Sequence, residues 1–151
     1  ATWAATTTNP GAAANTAVDV LDAYRVWVGN ASGALYYTKD GGETWVAKTF
    51  TAQTAAAIKD ISFASDEVGA VSFTITGPVG YIATTINGGY SWVDSSVTTT
   101  TRLGLVPANT GINRVAWPTT GEPSIDVNTL AACGLGVGTD GKLIIGIANR
   151  F

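Results

Sequence analysis

The sequence contains no histidine, which removes both the commonest general base and the commonest transition-metal ligand. Its single cysteine, Cys133, excludes a disulfide within the chain and is interpreted as a small apolar core residue. No stretch approaches the ~20 apolar residues of a membrane span, so membrane insertion is not expected. Residues 1–17 lack the basic and apolar regions of an intact signal peptide.

Charge is also scarce, because Asp, Glu, Lys and Arg make up only 13% of the chain while hydrophobic residues make up 46%. A monomer usually covers its surface with more charge than this, so we expect other copies or other proteins to cover part of it. The net charge is −3 and the basic residues are scattered, so no nucleic-acid partner is predicted. A composition rich in Thr, Ala, Gly and Asn is typical of virus-particle or extracellular proteins, and we predict a location on a virion or outside the cell.

What the sequence does contain is a repeated motif. The segments TKDGGETW and TINGGYSW share the pattern [ST]-x-[DN]-x-G-x-[ST]-W, and their tryptophans lie about 47 residues apart, a period typical of solenoids and propellers. The motif positions are Thr38, Asp40, Gly42, Thr44 and Trp45 in the first copy, and Thr85, Asn87, Gly89, Ser91 and Trp92 in the second.

The segments around each motif read as four short strands separated by turn residues. Four antiparallel strands make one propeller blade, so we predict an all-β fold of propeller-type blades. Blade 1 is predicted over residues 17–50, blade 2 over 57–100, and an incomplete blade 3 over 111–151. Residues 1–8, with Trp3 in the motif's tryptophan position, are predicted to form the closing strand that completes a third blade.

Three blades are too few to close a propeller, since propellers carry four to eight. We therefore predict a head-to-tail dimer with six blades, in which each chain lends its Trp3 strand to the third blade of its partner. A trimer with nine blades and completion of the third blade by the chain's own N-terminus remain alternatives.

The motif resembles the Asp-box, or bacterial neuraminidase repeat, of sialidases, sortilin-like receptors, some lectins and the Ycf48-type photosystem II assembly factors. The segments ALYYTKDGGETW and GYIATTINGGYSW are most similar to the last group and its phage and bacterial relatives. The resemblance implies a propeller fold and leaves the activity open. The resemblance also implies one possible function, that of a scaffold that binds a membrane-protein partner through a basic patch. No such patch is evident in the sequence.

The motif residues have a local structural role. Asp40 or Asn87 can accept hydrogen bonds from turn amides, and Gly42 or Gly89 supplies backbone freedom. Thr44 or Ser91 can bond across the turn, while Trp45 or Trp92 packs into the sheets. We predict a folded hairpin rather than a catalytic or metal site. Asp19 and Asp60 each lie in an opening strand and are predicted to occupy equivalent positions.

No catalytic constellation is recognisable. The arginines Arg25, Arg102, Arg114 and Arg150 lie outside an Arg-Ile-Pro setting, and the acidic residues show no paired spacing. The sequence predicts no enzyme, no cofactor and no metal. We predict a structural or assembly protein, such as an exposed phage virion component on the capsid or tail, that contacts its own copies and other structural proteins. The alternative is a glycan-binding propeller with Trp27, Trp117 and Tyr81 as stacking residues.

Overall fold

The computed structural model describes residues 8–50, 56–75, 79–95, 111–116, 129–135 and 141–147. All the regular structure in these ranges is β. The strands are β1 (Asn15–Val20), β2 (Val26–Asn30), β3 (Leu35–Thr38), β4 (Val46–Lys48), β5 (Ala57–Phe63), β6 (Gly69–Ile75), β7 (Val79–Thr85), β8 (Val93–Ser95), β9 (Gly111–Ala116), β10 (Thr129–Leu135) and β11 (Gly141–Ile147).

The strands form three antiparallel meanders. Sheet 1 has the order β1-β2-β3-β4, sheet 2 the order β5-β6-β7-β8, and sheet 3, within the described residues, the order β9-β10-β11. The predicted all-β, antiparallel, propeller-type fold is confirmed. Residues 1–7, with Trp3, lie outside the described residues, so the closing strand, the dimer and the number of blades in a closed propeller stay predictions.

The first strand of each sheet (β1, β5 and β9), called the opening strand below, carries one β-bulge. Aligning the three bulges shows which residues of the three sheets are equivalent. The register with the second strand shifts between Asn15 and Ala17 in β1 and between Ile58 and Asp60 in β5. In β9 the shift lies between Ile112 and Arg114, opposite the Cys133–Gly134 step of β10. The skipped residue is therefore Thr16 in sheet 1, Lys59 in sheet 2 and Asn113 in sheet 3.

This register corrects one expectation from the sequence. With the bulges aligned, Ala17 corresponds to Asp60 and Asp19 corresponds to Ser62. The loops after the strands agree, because Leu21 N donates to Arg25 O as Ala64 N donates to Val68 O. The prediction that Asp19 and Asp60 are equivalent is therefore wrong. An apolar-polar pattern does not reveal which residue a bulge skips.

The core described by the structure lies between sheets 1 and 2. The Trp27 ring is completely buried between two others, with ring centroids 4.3 Å from Tyr37 and 4.0 Å from Phe63. Leu35, Ile58, Val71 and Phe73 extend this cluster. Trp27 and Tyr37 come from sheet 1 and Phe63 from sheet 2, so the stacked aromatic rings join neighbouring sheets.

Two carboxylates also join successive sheets through main-chain amides. The Phe63 amide donates to Asp19 Oδ2 over 2.6 Å, and the Val115 amide donates to Asp60 Oδ2 over 2.9 Å. In the aligned register, Asp19 is equivalent to Ser62 and bonds to the next residue, Phe63. Asp60 is likewise equivalent to Arg114 and bonds to the next residue, Val115. The sheets therefore stack in chain order, with β1 beside β5 and β5 beside β9.

Candidate functional site: the cleft between sheets 1 and 2

The turn between β3 and β4 is organised by Thr38 and Asp40. The buried Thr38 hydroxyl accepts from the amide of Gly42 over 3.0 Å and donates to Asp40 Oδ1 over 2.6 Å. Asp40 in turn accepts from the amide and the hydroxyl of Thr44. The Thr38 and Thr44 hydroxyls hold the pKa of the Asp40 carboxyl well below its ordinary value.

The turn between β7 and β8 repeats this network with an amide in place of the carboxylate. Thr85 Oγ1 accepts from the Gly89 amide over 2.9 Å, and Asn87 Oδ1 accepts from the Ser91 amide over 2.9 Å. Gly42 and Gly89 have φ angles of 94° and 76°, in the left-handed region that favours glycine. The side-chain hydrogen bonds of Thr38, Asp40, Thr85 and Asn87 thus hold each turn closed from within.

The two motif tryptophans lie in different surroundings. Trp92 packs against Phe50, with ring centroids 4.6 Å apart, and meets Phe63 edge-on at 6.4 Å. Trp45 is half-buried, and the two tryptophans are alike in that neither indole N–H has a hydrogen-bond partner within the described part of the chain.

Each motif turn is tied to the first loop of its own sheet. Gly41 N donates to Tyr24 O in sheet 1, and Gly88 N donates to Glu67 O in sheet 2, both over 2.9 Å. The first loop and the motif turn therefore lie at the same end of each sheet. Where the loops of sheet 2 face the outer strands of sheet 1, they leave a cleft of about 550 Å³. Its lining residues are Tyr37, Lys39, Thr44, Val46, Lys48, Asp66, Glu67, Asn87, Gly88 and Tyr90.

One wall of the cleft is fixed by Asp66. Its Oδ2 accepts from Arg25 Nη1 over 2.7 Å, and its Oδ1 accepts from the Tyr37 hydroxyl over 3.3 Å. Arg25 also pairs with Asp22 over 2.6 Å and lowers the pKa of that carboxyl to about 2. Burial, reinforced by the Asp66 charge, raises the pKa of Tyr37. Asp66 thus shares the single positive charge of Arg25 with Asp22.

The opposite wall carries two lysines without a carboxylate partner among the described residues. Lys48 Nζ lies 4.3 Å from the centroid of the Tyr90 ring, and Lys39 Nζ lies 5.8 Å from that of Tyr37. The salt bridges of the described residues involve neither lysine. Tyr90 is 86% exposed, so its side chain is available to a ligand.

The predicted stacking residues lie elsewhere. Trp27 has no exposed surface and both its ring faces are covered, so it leaves no face for a sugar. Tyr81 is half-buried against the core, and Trp117 lies outside the described residues. Lys39, Lys48 and Tyr90 were not among the residues predicted from the sequence. Their only sequence signal is that Lys39 and Tyr90 lie inside the two motifs and Lys48 lies just after the first.

Within the described ranges, no group of three or more His, Cys, Asp or Glu side chains could hold a metal ion. Nor do these ranges contain a helix long and apolar enough to cross a membrane.

Two solved structures share this arrangement of sheets. The structure described as YCF48 bound to D1 peptide matches 89% of this chain and 40% of its own, with a TM-score of 0.58 and 19% sequence identity. The structure of YCF48 from Cyanidioschyzon merolae matches 90% of this chain and 38% of its own, with a TM-score of 0.54 and 18% identity. This chain thus spans about two fifths of the length of either protein. No family model and no curated protein matches the sequence. The chain therefore has a propeller-type fold similar to that of the Ycf48 proteins.

Proposed function

We propose that this chain is a non-enzymatic assembly module that acts through protein–protein contacts, and that its first contact is with copies of itself. One observation carries the proposal. Val18 in sheet 1 is 61% exposed, whereas its counterparts Ile61 in sheet 2 and Val115 in sheet 3 are each 4% exposed. Val20 is also 61% exposed, and its counterpart Phe63 is 6% exposed. Sheet 1 thus leaves exposed the apolar face that carries Val18 and Val20. Sheet 2 buries its equivalent face against sheet 1.

A second copy is the occupant that the chain itself suggests. Sheets 2 and 3 each place this face on the sheet that precedes them. The preceding sheet for sheet 1 would be sheet 3 of another copy, in a heterologous, head-to-tail contact. Burial of a valine side chain stabilises by about 1.5–3 kcal/mol relative to full exposure, which favours covering Val18 and Val20.

This contact would lack the carboxylate bonds that join the sheets within the chain. The positions equivalent to Asp60 and Asp19 in sheet 3 are Arg114 and Ala116, and neither supplies an acceptor. The junction between copies is therefore weaker than the junctions within one chain. Exchange of the Trp3 strand, predicted from the sequence, would add a second link.

The similar structures support a binding role in general terms. One of them is described as bound to a peptide, and both have chains more than twice as long as this one. Such a fold has room for sheets beyond the three of this chain. The phage virion location rests on composition and stays a proposal.

The test is the solution mass, measured by light scattering over a range of protein concentrations. We expect a concentration-dependent oligomer. Val18→Lys should weaken it, because a charge would then enter the apolar contact. Ala116→Asp should strengthen it by restoring a carboxylate at the position that Asp19 occupies in sheet 1, whereas Ala116→Lys should not. Deletion of residues 1–8 tests the strand exchange separately.

A wild-type monomer at all concentrations, unchanged by Ala116→Asp, would refute the assembly proposal. Binding of defined sugars on a glycan array by that monomer would instead support the glycan-binding alternative, although Trp27 could not be its stacking residue.

A further inference from the structure

The turn between β7 and β8 contains the single Asn-Gly pair of the sequence, Asn87 and Gly88. Asparagine is thermolabile at such a pair, because glycine has no Cβ to keep its main-chain nitrogen away from the preceding side chain. Asn87 is exposed, so water reaches its amide. It also lines the cleft between sheets 1 and 2, so a change in its charge would change the wall of that cleft. The pair is therefore a candidate for spontaneous deamidation.

This reaction needs no reactant other than water. The Gly88 nitrogen gives up its proton and bonds to Cγ of Asn87, the Cγ–Nδ2 bond breaks, and Nδ2 leaves as ammonia with that proton. Water then opens the cyclic imide by adding its hydroxyl to one carbonyl carbon and its proton to the ring nitrogen. Opening at the side-chain carbonyl gives aspartate, and opening at the main-chain carbonyl gives isoaspartate. In either case an amide is replaced by a negatively charged carboxylate.

The folded turn opposes the first step of the reaction. Gly88 N donates to Glu67 O over 2.9 Å, which keeps the proton on the nitrogen. Asn87 Oδ1 accepts from the Ser91 amide over 2.9 Å, and Asn87 Nδ2 donates to the Ser91 hydroxyl over 2.8 Å. The attacking nitrogen and the amide group that it must attack are therefore both held in place, and the reaction requires the turn to open.

The turn between β3 and β4 shows that an aspartate fits this motif. Asp40 occupies the position there that Asn87 has in the second copy. It accepts from the amide and the hydroxyl of Thr44, the counterpart of Ser91. An aspartate at position 87 can accept from Ser91 in the same way, through hydrogen bonds to an ionised acceptor. Isoaspartate lengthens the main chain by one atom and does not fit this network.

We propose that Asn87 is a modification site, which converts to aspartate when the turn between β7 and β8 opens, and that the closed turn accepts the product. The conversion gives the second motif the residue that the first already has, and it adds one negative charge to a chain whose net charge is −3. The site does not involve the Val18 and Val20 face, so it is independent of self-assembly.

Incubation of the full chain in mildly alkaline buffer, followed by peptide-mapping mass spectrometry, measures the reaction. We expect deamidation at Asn87 to be at least about tenfold slower in the folded protein than in the same protein in urea, because opening must break several hydrogen bonds. Ser91→Ala removes the acceptor of Nδ2 and should speed the reaction of the folded protein at least about twofold. Thr44→Ala is the matched control, since it removes the equivalent hydroxyl from the first turn and should leave the rate at Asn87 unchanged.

The Asn87→Asp variant supplies the product directly. It should unfold in one cooperative transition like the wild type, and its residue 87 should show no mass change on incubation. Four results would each overturn the proposal: an Asn87 that stays unmodified in urea, equal rates in the folded and unfolded protein, a Ser91→Ala rate no higher than that of Thr44→Ala, or an Asn87→Asp variant that does not fold.

Discussion

The carboxylate of Asp19 accepts a hydrogen bond of 2.6 Å from the main-chain amide of Phe63, at the point where β1 meets β5. The bond satisfies an amide of the second sheet with a side chain of the first. Burial raises the pKa of Asp19, and the nearby Asp60 charge adds to the rise, whereas the amides of Phe63 and Val20 oppose it. The hydrogen bond therefore fixes how sheet 2 stacks on sheet 1. Ionisation of the half-buried Asp19 carboxyl carries a desolvation cost.

Replacement of this carboxylate should weaken the joint between sheets 1 and 2. Asp19→Ala leaves the Phe63 amide without its acceptor, so we expect a loss of about 1–3 kcal/mol in the free energy of unfolding. Asp19→Asn keeps an acceptor oxygen and should lose less. Urea unfolding monitored by tryptophan fluorescence measures both, and equal stability of Asp19→Ala and wild type would contradict the role assigned to this bond.

The difference in stability between the wild type and Asp19→Asn should change with pH in a definite direction. Because the folded-state pKa of Asp19 is raised, its contribution to stability is present below the unfolded pKa and is lost as the pH rises through the folded pKa. The wild type should therefore lose stability relative to Asp19→Asn as the pH rises from about 4 towards neutrality. Unfolding at several pH values would test this, and an opposite trend would show that Asp19 is not desolvated.

Asp40 should behave in the opposite way. Its folded-state pKa is lowered by the Thr38 and Thr44 hydroxyls, so its contribution is present above the ordinary pKa of 3.8 and is lost as the pH falls below it. Asp40→Asn gives the first turn the residue that Asn87 already provides in the second, so the variant should fold. We expect its stability to fall less steeply than that of the wild type between pH 4 and pH 2. Parallel acid titrations would detect the difference.

The buried Thr38 hydroxyl offers a test of the turn itself. Thr38→Val keeps the size of the side chain but removes the acceptor for the Gly42 amide, which should cost about 1–3 kcal/mol. The exposed Thr44→Val is the comparison and should cost less, since water can replace its hydroxyl. Chemical denaturation of both variants decides the order, and an equal cost would mean that burial of Thr38 adds nothing.

Trp27 is predicted to act in stability rather than in binding. Trp27→Ala removes the central ring of the stack with Tyr37 and Phe63 and should cost about 3–5 kcal/mol, enough to unfold a marginal domain. Tyr90→Ala, at a side chain that is 86% exposed, should change the unfolding free energy by no more than about 0.5 kcal/mol. Similar losses in the two variants would contradict this placement of the core.

The turns and the all-β class could be predicted from the sequence because they depend on local chemistry. The repeated Thr, Asp or Asn, and Gly positions specify their own hydrogen bonds, whatever the rest of the chain does. The cleft could not be predicted, because it brings together residues of different repeats, such as Tyr37 and Asp66. The equivalence of Asp19 and Asp60 failed for a related reason, since a bulge at Thr16 or Lys59 shifts the register without changing the apolar pattern.

The bulge in every opening strand has a wider consequence. Each repeat carries its own register marker, so the position of its side chains does not depend on how many repeats precede it. We therefore expect duplication of a whole repeat to leave the register within the other sheets unchanged, whereas the insertion of one residue beside Lys59 would turn part of β5 inside out. Insertions of a whole sheet should therefore disturb the register less than insertions of a single residue.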